Sequence, residues 1–170
     1  MIKKKRYNKK FNIKYKKKLN IKLIKINLIK LIKLNFRVCS FILKKGKLSK
    51  ASLFFDKILL ILIKSLHKNP FIVLNKAIKN VSPLFLLKNK KFGKRIIVSP
   101  VFIISRFTRT SLGIKWIIEA ALRRTGTGNF YDNLVLEIKE AFNNKGFAKK
   151  KLKNLNSLVI ENRANIRFRW

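Results

Sequence analysis

Carboxylates are nearly missing from this chain. Six Asp and Glu stand against 43 Lys and Arg over 170 residues, a formal net charge of +37, and none occurs before Asp56. So large an excess of one sign repels itself, which excludes a charge-balanced body living alone in water. It calls for a polyanionic surrounding, either nucleic acid or an anionic membrane surface. A single cysteine, Cys39, excludes an internal disulfide and fits a reducing compartment. With His67 the one histidine, no Cys/His metal site can be assembled by this chain alone, and neither metal nor cofactor is expected. Long apolar runs are lacking too. The longest, Ile58–Ile63, lies between Lys57 and Lys64, far short of the roughly 20 residues of a spanning helix. Lysines also interrupt every apolar stretch through Lys33, unlike a secretory signal.

What is present is a hydrophobic content of 48%, too high for a disordered polycation, so a core is expected behind the charge. The length suits one ordinary domain plus an arm. Residues 1–30 mix Lys, Ile, Leu and Asn without a clear helical period, and like charges at helical spacing repel. They read as a basic N-terminal arm, disordered until paired with a polyanion. Residues 31–170 read as a single helical RNA-binding domain. Leu31, Leu34, Val38 and Phe41/Ile42 repeat at helical spacing. Ala51, Phe54, Phe55, Ile58, Leu59, Leu62, Ile63 and Leu66 follow the same rule for about four turns, with Ser49 as the expected N-cap. Asn69-Pro70 breaks the pattern; Leu74, Ala77, Ile78 and Val81 make a third helix closed by Pro83.

Residues 84–104 behave differently. Two β-rich runs flank Lys88-Asn89-Lys90-Lys91 and Gly93, which predicts a basic hairpin. Pro100 in the second run implies an edge strand or a bulge, so the hairpin should protrude. Helix is expected again after Thr110, with Leu112, Trp116, Ile117, Ala120 and Ala121 on one side and Gly126-Thr127-Gly128 at its end. Phe130, Leu134, Ile138, Ala141 and Phe142 make another, closed by Asn144-Lys145-Gly146. A last helix begins at Lys149 with a thin apolar stripe of Leu152, Leu155 and Leu158/Val159, before an Arg167-Phe168-Arg169-Trp170 tail. The expected fold is mainly α: about six helices in a compact bundle, one protruding basic β-hairpin, and the arm.

Three basic clusters are candidate phosphate contacts, since lysine and arginine neutralise phosphates and release counterions. Lys44, Lys45 and Lys47 occupy a helix–helix turn. Lys88, Lys90, Lys91, Lys94 and Arg95 lie on the hairpin and lead to Arg106 and Arg109. Lys149, Lys150, Lys151 and Lys153 precede Arg163, Arg167 and Arg169. In a chain of balanced charge each run would be a solvated face; here acids are too few to balance the field. Trp116 is expected in the core, with Lys115 pointing outward. Enzymatic readings fail. Gly46-Lys47-Leu48-Ser49 lacks the upstream glycine of a phosphate loop, no nucleophile has a base beside it, and Glu137 and Glu140 read as surface carboxylates rather than an acid/base pair.

Several segments together resemble one family. Leu112-Gly113-Ile114-Lys115-Trp116-Ile117-Ile118-Glu119-Ala120-Ala121 is similar to the L-x-x-R-W-I-x-E-A-A helix of small-subunit ribosomal protein seven, bacterial and organellar type. Asn144-Lys145-Gly146-x-Ala148-x-Lys150-Lys151 resembles its N-K-G-x-A-x-K-K stretch. Asn162-Arg163-Ala164 with Phe168-Arg169-Trp170 resembles its ending. Upstream, Gly46-Lys47-x-Ser49-x-Ala51, Asn80-Val81-Ser82-Pro83 and Val98-Ser99-Pro100-Val101 resemble its turn and hairpin flanks. Departures are a hairpin tip with one glycine, Gly93, and Ser105-Arg106-Phe107-Thr108-Arg109 where the family has R-P-x-R-R.

The resemblance implies a structural protein with no catalytic residues that binds the 3′ major domain of small-subunit ribosomal RNA and supports assembly of the head. It implies a hairpin near the exit tRNA site and the mRNA path, and neighbouring small-subunit proteins nine and eleven. The wording is closest to mitochondrial members, so a mitochondrial ribosome is expected, with plastid or bacterial cytoplasm as alternatives. The rival from another class is a cationic membrane-surface protein using residues 1–35 as an amphipathic element.

Overall fold

In a computed structural model, residues 32–43, 45–124 and 129–168 are described. The expected arm (residues 1–30), Lys44, the Gly126-Thr127-Gly128 stop, Arg169 and Trp170 lie outside them. The chain divides into two compact units at Arg37/Val38. In the first, the described residues 32–37 are helical. The same run of helix, α1, covers residues 32–42, and its Val38 and Cys39 are buried in the second unit.

The second unit continues with α2 (Leu48–Leu66), α3 (Pro70–Val81), β1 (Phe85–Phe92), β2 (Arg95–Phe102), α4 (Arg106–Arg123), α5 (Phe130–Phe142), α6 (Phe147–Glu161) and a 3-10 turn (Arg163–Phe168). The expected mainly helical fold with one hairpin is what forms. In α2 the apolar period carries through: Ala51, Phe55, Ile58, Leu59 and Leu62 are buried. Its N-cap is Lys47, however, and Ser49 lies one residue inside the helix. The Lys47 carbonyl accepts from Ala51 N–H, so backbone rather than a serine side chain closes that end. At α3 the break works as read, because the Asn69 side chain accepts from Phe71 N–H and Pro70 occupies a position whose N–H needs no partner.

Helix α5 packs on both α3 and α4, and Leu134, Val135, Ile138 and Ala141 supply its inner face. Ile58, Leu62 and Ile78 are almost wholly enclosed; truncating any one to Ala should cost about 2–5 kcal/mol. Helix α4 approaches α3 closely enough that a Cβ at Gly113 would stand 3.1 Å from the Ile78 carbonyl. It starts at Arg106, capped by Ser105, four residues before the expected Thr110. Helix α6 starts at Phe147 rather than Lys149.

The hairpin is an antiparallel pair in continuous register, Phe85 opposite Phe102 through Phe92 opposite Arg95, with no bulge. Its turn, Gly93-Lys94, has the positive φ at Gly93 that primed two-residue turns need. Ile103 N–H donates to the Leu84 carbonyl. Alternation then makes Leu87–Pro100 a non-hydrogen-bonded pair, so the missing proline N–H is never needed. The root of the hairpin is packed, Ser99 and Pro100 being buried, while Lys91 through Ile96 are exposed. Among the described residues no single helix is long and apolar enough to cross a membrane.

Candidate nucleic-acid interface

Three of the four α6 lysines were expected to behave alike, and the structure separates them. Lys149 Nζ donates to the Asn80 carbonyl at 2.8 Å, closing the end of α3. The Asn80 side chain in turn donates to the Ala141 and Phe142 carbonyls at the end of α5. Lys149 therefore ties α3, α5 and α6 together. Lys151 Nζ donates to Glu119 Oε2 at 2.6 Å and stands 5.4 Å from the Trp116 ring. Lys150 and Lys153 remain exposed on the outer side of the helix. Trp116 is buried and Lys115 exposed, as expected.

On the hairpin, Lys88, Lys91, Lys94 and Arg95 are exposed and Lys90 is half-buried. Lys88, Lys91, Lys94 and Arg95 have no carboxylate within ion-pair distance among the described residues. The 3-10 turn rests on β2. Asn165 Nδ2 donates to the Val98 carbonyl at 3.0 Å, and Phe168 meets Phe92 edge-on at 5.3 Å between ring centroids. This brings exposed Arg163 and Arg167 beside the hairpin and joins two clusters that are far apart in sequence. Arg106 is exposed in the first turn of α4; Arg109, one turn on, is half-buried and its Nε has no partner among the described residues. At the α1–α2 turn, exposed Lys45 and Lys47 rim a groove of about 420 Å³ floored by Phe54 and Phe130, which stack at 5.6 Å.

The carboxylates face inward. Glu119 bridges Arg123 and Lys151, and the Lys151 hydrogen bond, with the nearby charges, holds its carboxyl below the ordinary value. Glu137 overturns the surface reading given to it, being fully buried. Its Oε2 accepts from Arg124 Nε and Nη2 at 3.2 and 2.9 Å, and its Oε1 accepts from Ala148 N–H at 2.9 Å. Arg124 also bonds Glu140, which is half-buried. Burial opposes the charge on Arg124, but the bonds to Glu137 and Glu140 outweigh it and raise the guanidinium above its usual value. Arg124 was absent from the sequence-derived clusters. Its one signal was the Arg123-Arg124 doublet upstream of two glutamates on a single helix.

The arrangement consumes acid internally and leaves cations outside. Exposed basic side chains occur on the hairpin tip, the 3-10 turn, the outer edge of α6 and the α1–α2 turn. That is an electrostatic surface for phosphate. Among the described residues no three metal-ligating side chains cluster.

Comparison with known proteins points the same way. The family model described as ribosomal protein S7p/S5e matches residues 2–163. Small ribosomal subunit protein uS7 of Hydrogenobaculum sp. is 32% identical over 132 residues, covering 76% of this chain and 82% of that protein. The uS7 of Thermomicrobium roseum is 33% identical over 129 residues, covering 76% and 81%. Small ribosomal subunit protein uS7m of Prototheca wickerhamii is 37% identical over 100 residues, covering 58% and 45%.

Proposed function

This chain belongs to the ribosomal protein S7p/S5e family, and from that premise we propose how it performs a structural, non-enzymatic role in the small ribosomal subunit. It clamps folded ribosomal RNA electrostatically, with the hairpin tip, the 3-10 turn and the outer edge of α6 acting as one discontinuous basic surface. The observation that carries this reading is the inward pairing of Glu119, Glu137 and Glu140 with Arg123, Arg124 and Lys151. It leaves the hairpin cations without protein counter-charges, and phosphate is the partner that suits them.

The RNA in this proposal is the 3′ major domain of the small-subunit ribosomal RNA, and the protein supports assembly of the head. The hairpin reaches toward the exit tRNA site and the mRNA path, with small-subunit proteins nine and eleven as neighbours. Likeness to the uS7m protein of Prototheca wickerhamii and the Lys-, Asn- and Ile-rich composition support a mitochondrial ribosome. Within the basic clusters, Lys88, Lys91, Lys94, Arg95, Lys150, Lys153, Arg163 and Arg167 are assigned to RNA; Lys149 and Lys151 serve the fold first.

Density-gradient sedimentation of organelle and whole-cell lysates tests the assignment. The protein should travel with small-subunit particles at low salt. Migration as a free monomer in every fraction would end the proposal.

A further inference from the structure

Phe147 opens α6 with 53% of its surface exposed, a conspicuous place for a large apolar ring on the edge of a basic helix. It stands at the position that the N-K-G-x-A-x-K-K pattern leaves open, so the shared fold does not demand an aromatic there. Its ring forms one wall of a cleft of about 320 Å³ between α4 and α6, shared with Trp116, Glu119, Arg123, Lys151 and Asn154. That volume is at the lower end of small-ligand sites, about 300–1,000 Å³. Lys150 Nζ lies 5.4 Å and the Arg124 guanidinium 6.0 Å from the ring centroid.

Building on the RNA-binding role above, we propose that this cleft receives one unstacked nucleobase of single-stranded RNA. The base lies on Phe147, with its flanking phosphates against Lys150 and Arg123. The chemistry inside the cleft selects a base over a bare anion. Glu119 is fixed there by Arg123 and Lys151, so an entering phosphate meets a carboxylate, whereas the amino edge of a base meets an acceptor. Asn154 adds a second amide able to donate or accept. Stacking needs only the displacement of the Lys150 head group, an exposed contact weaker than the base–aromatic contact replacing it.

The test uses the full chain and two probes of equal length: oligoadenylate and the corresponding abasic strand, which keeps the phosphates and loses the bases. At a salt concentration high enough to suppress nonspecific binding, the unaltered protein should prefer the adenylate. F147A should lose that preference by about tenfold, with abasic binding and thermal melting unchanged, and F147W should retain it. Undiminished preference in F147A, or an equal loss on both strands, overturns the cleft assignment while leaving the RNA-binding role intact. If the unaltered protein binds neither strand, the role and the cleft fall together.

Discussion

Glu137 and Arg124 form the one fully enclosed ion pair among the described residues: two N–H groups of the guanidinium converge on a single carboxylate oxygen, at 3.2 and 2.9 Å. The other oxygen accepts the Ala148 N–H at the start of α6. One side chain of α5 thereby fixes both the segment leaving α4 and the helix that carries Lys150 and Lys153. Replacing either partner alone strands a buried charge, so E137A and R124A should each lose about 3–5 kcal/mol in urea unfolding. A loss under 1 kcal/mol in both would show that the pair is not buried as described.

Gly146 is held to the same junction. Its φ is +94°, and a Cβ there would stand 2.7 Å from Glu137 Oε1 and 3.0 Å from Glu140 Oε2. G146A should therefore combine backbone strain with displacement of a buried carboxylate. Its cost should exceed the about 1 kcal/mol of an ordinary glycine replacement at positive φ. Equilibrium unfolding beside G93A, whose added Cβ would meet nothing within 4 Å, isolates the second contribution.

Neighbouring lysines of α6 should fail in opposite ways. Lys149 closes the end of α3, so K149A should lower the melting temperature. Lys150 is exposed, so K150A should leave melting alone and weaken RNA binding, lowering the salt slope by about 0.7–0.9 per lost phosphate contact. Parallel melting and filter-binding assays on the two variants separate the roles.

Glu119 gives the fold a sign-defined pH dependence. Its carboxyl is held below the ordinary 4.5 by Lys151, so the folded state favours the ionised form. The stabilisation is complete above the unfolded value and disappears as pH falls through the lowered one. E119Q should melt below the unaltered protein at neutral pH, and the two should converge in acid below 4.5. The partly exposed, salt-screened setting keeps the difference small.

The stretches that could be read from sequence are those in which a helix buries one apolar face. Leu74, Ala77, Ile78 and Val81 are all buried, as their spacing requires. The hairpin was legible through Gly93 and the paired β-rich runs. Glu137 was not, because its partners Arg124 and Ala148 arrive from two other segments and helical periodicity records only one. For the same reason the Lys149–Lys153 run looked uniform. A lysine's spacing shows which side of α6 it occupies, but not that an Asn80 carbonyl or a Glu119 carboxylate waits there. The cap of α2 went to Lys47 instead of Ser49 because the turn through Gly46 already closes that end with backbone bonds.

The account stands most directly on the salt dependence of binding to small-subunit ribosomal RNA, compared between the unaltered chain and K88A/K91A/K94A/R95A. Affinity should fall steeply with salt for the first. The slope should be shallower for the second by roughly 3–4 units, at about 0.7–0.9 per phosphate released. Identical slopes for the two proteins, or no retention of that RNA at low salt, would contradict it.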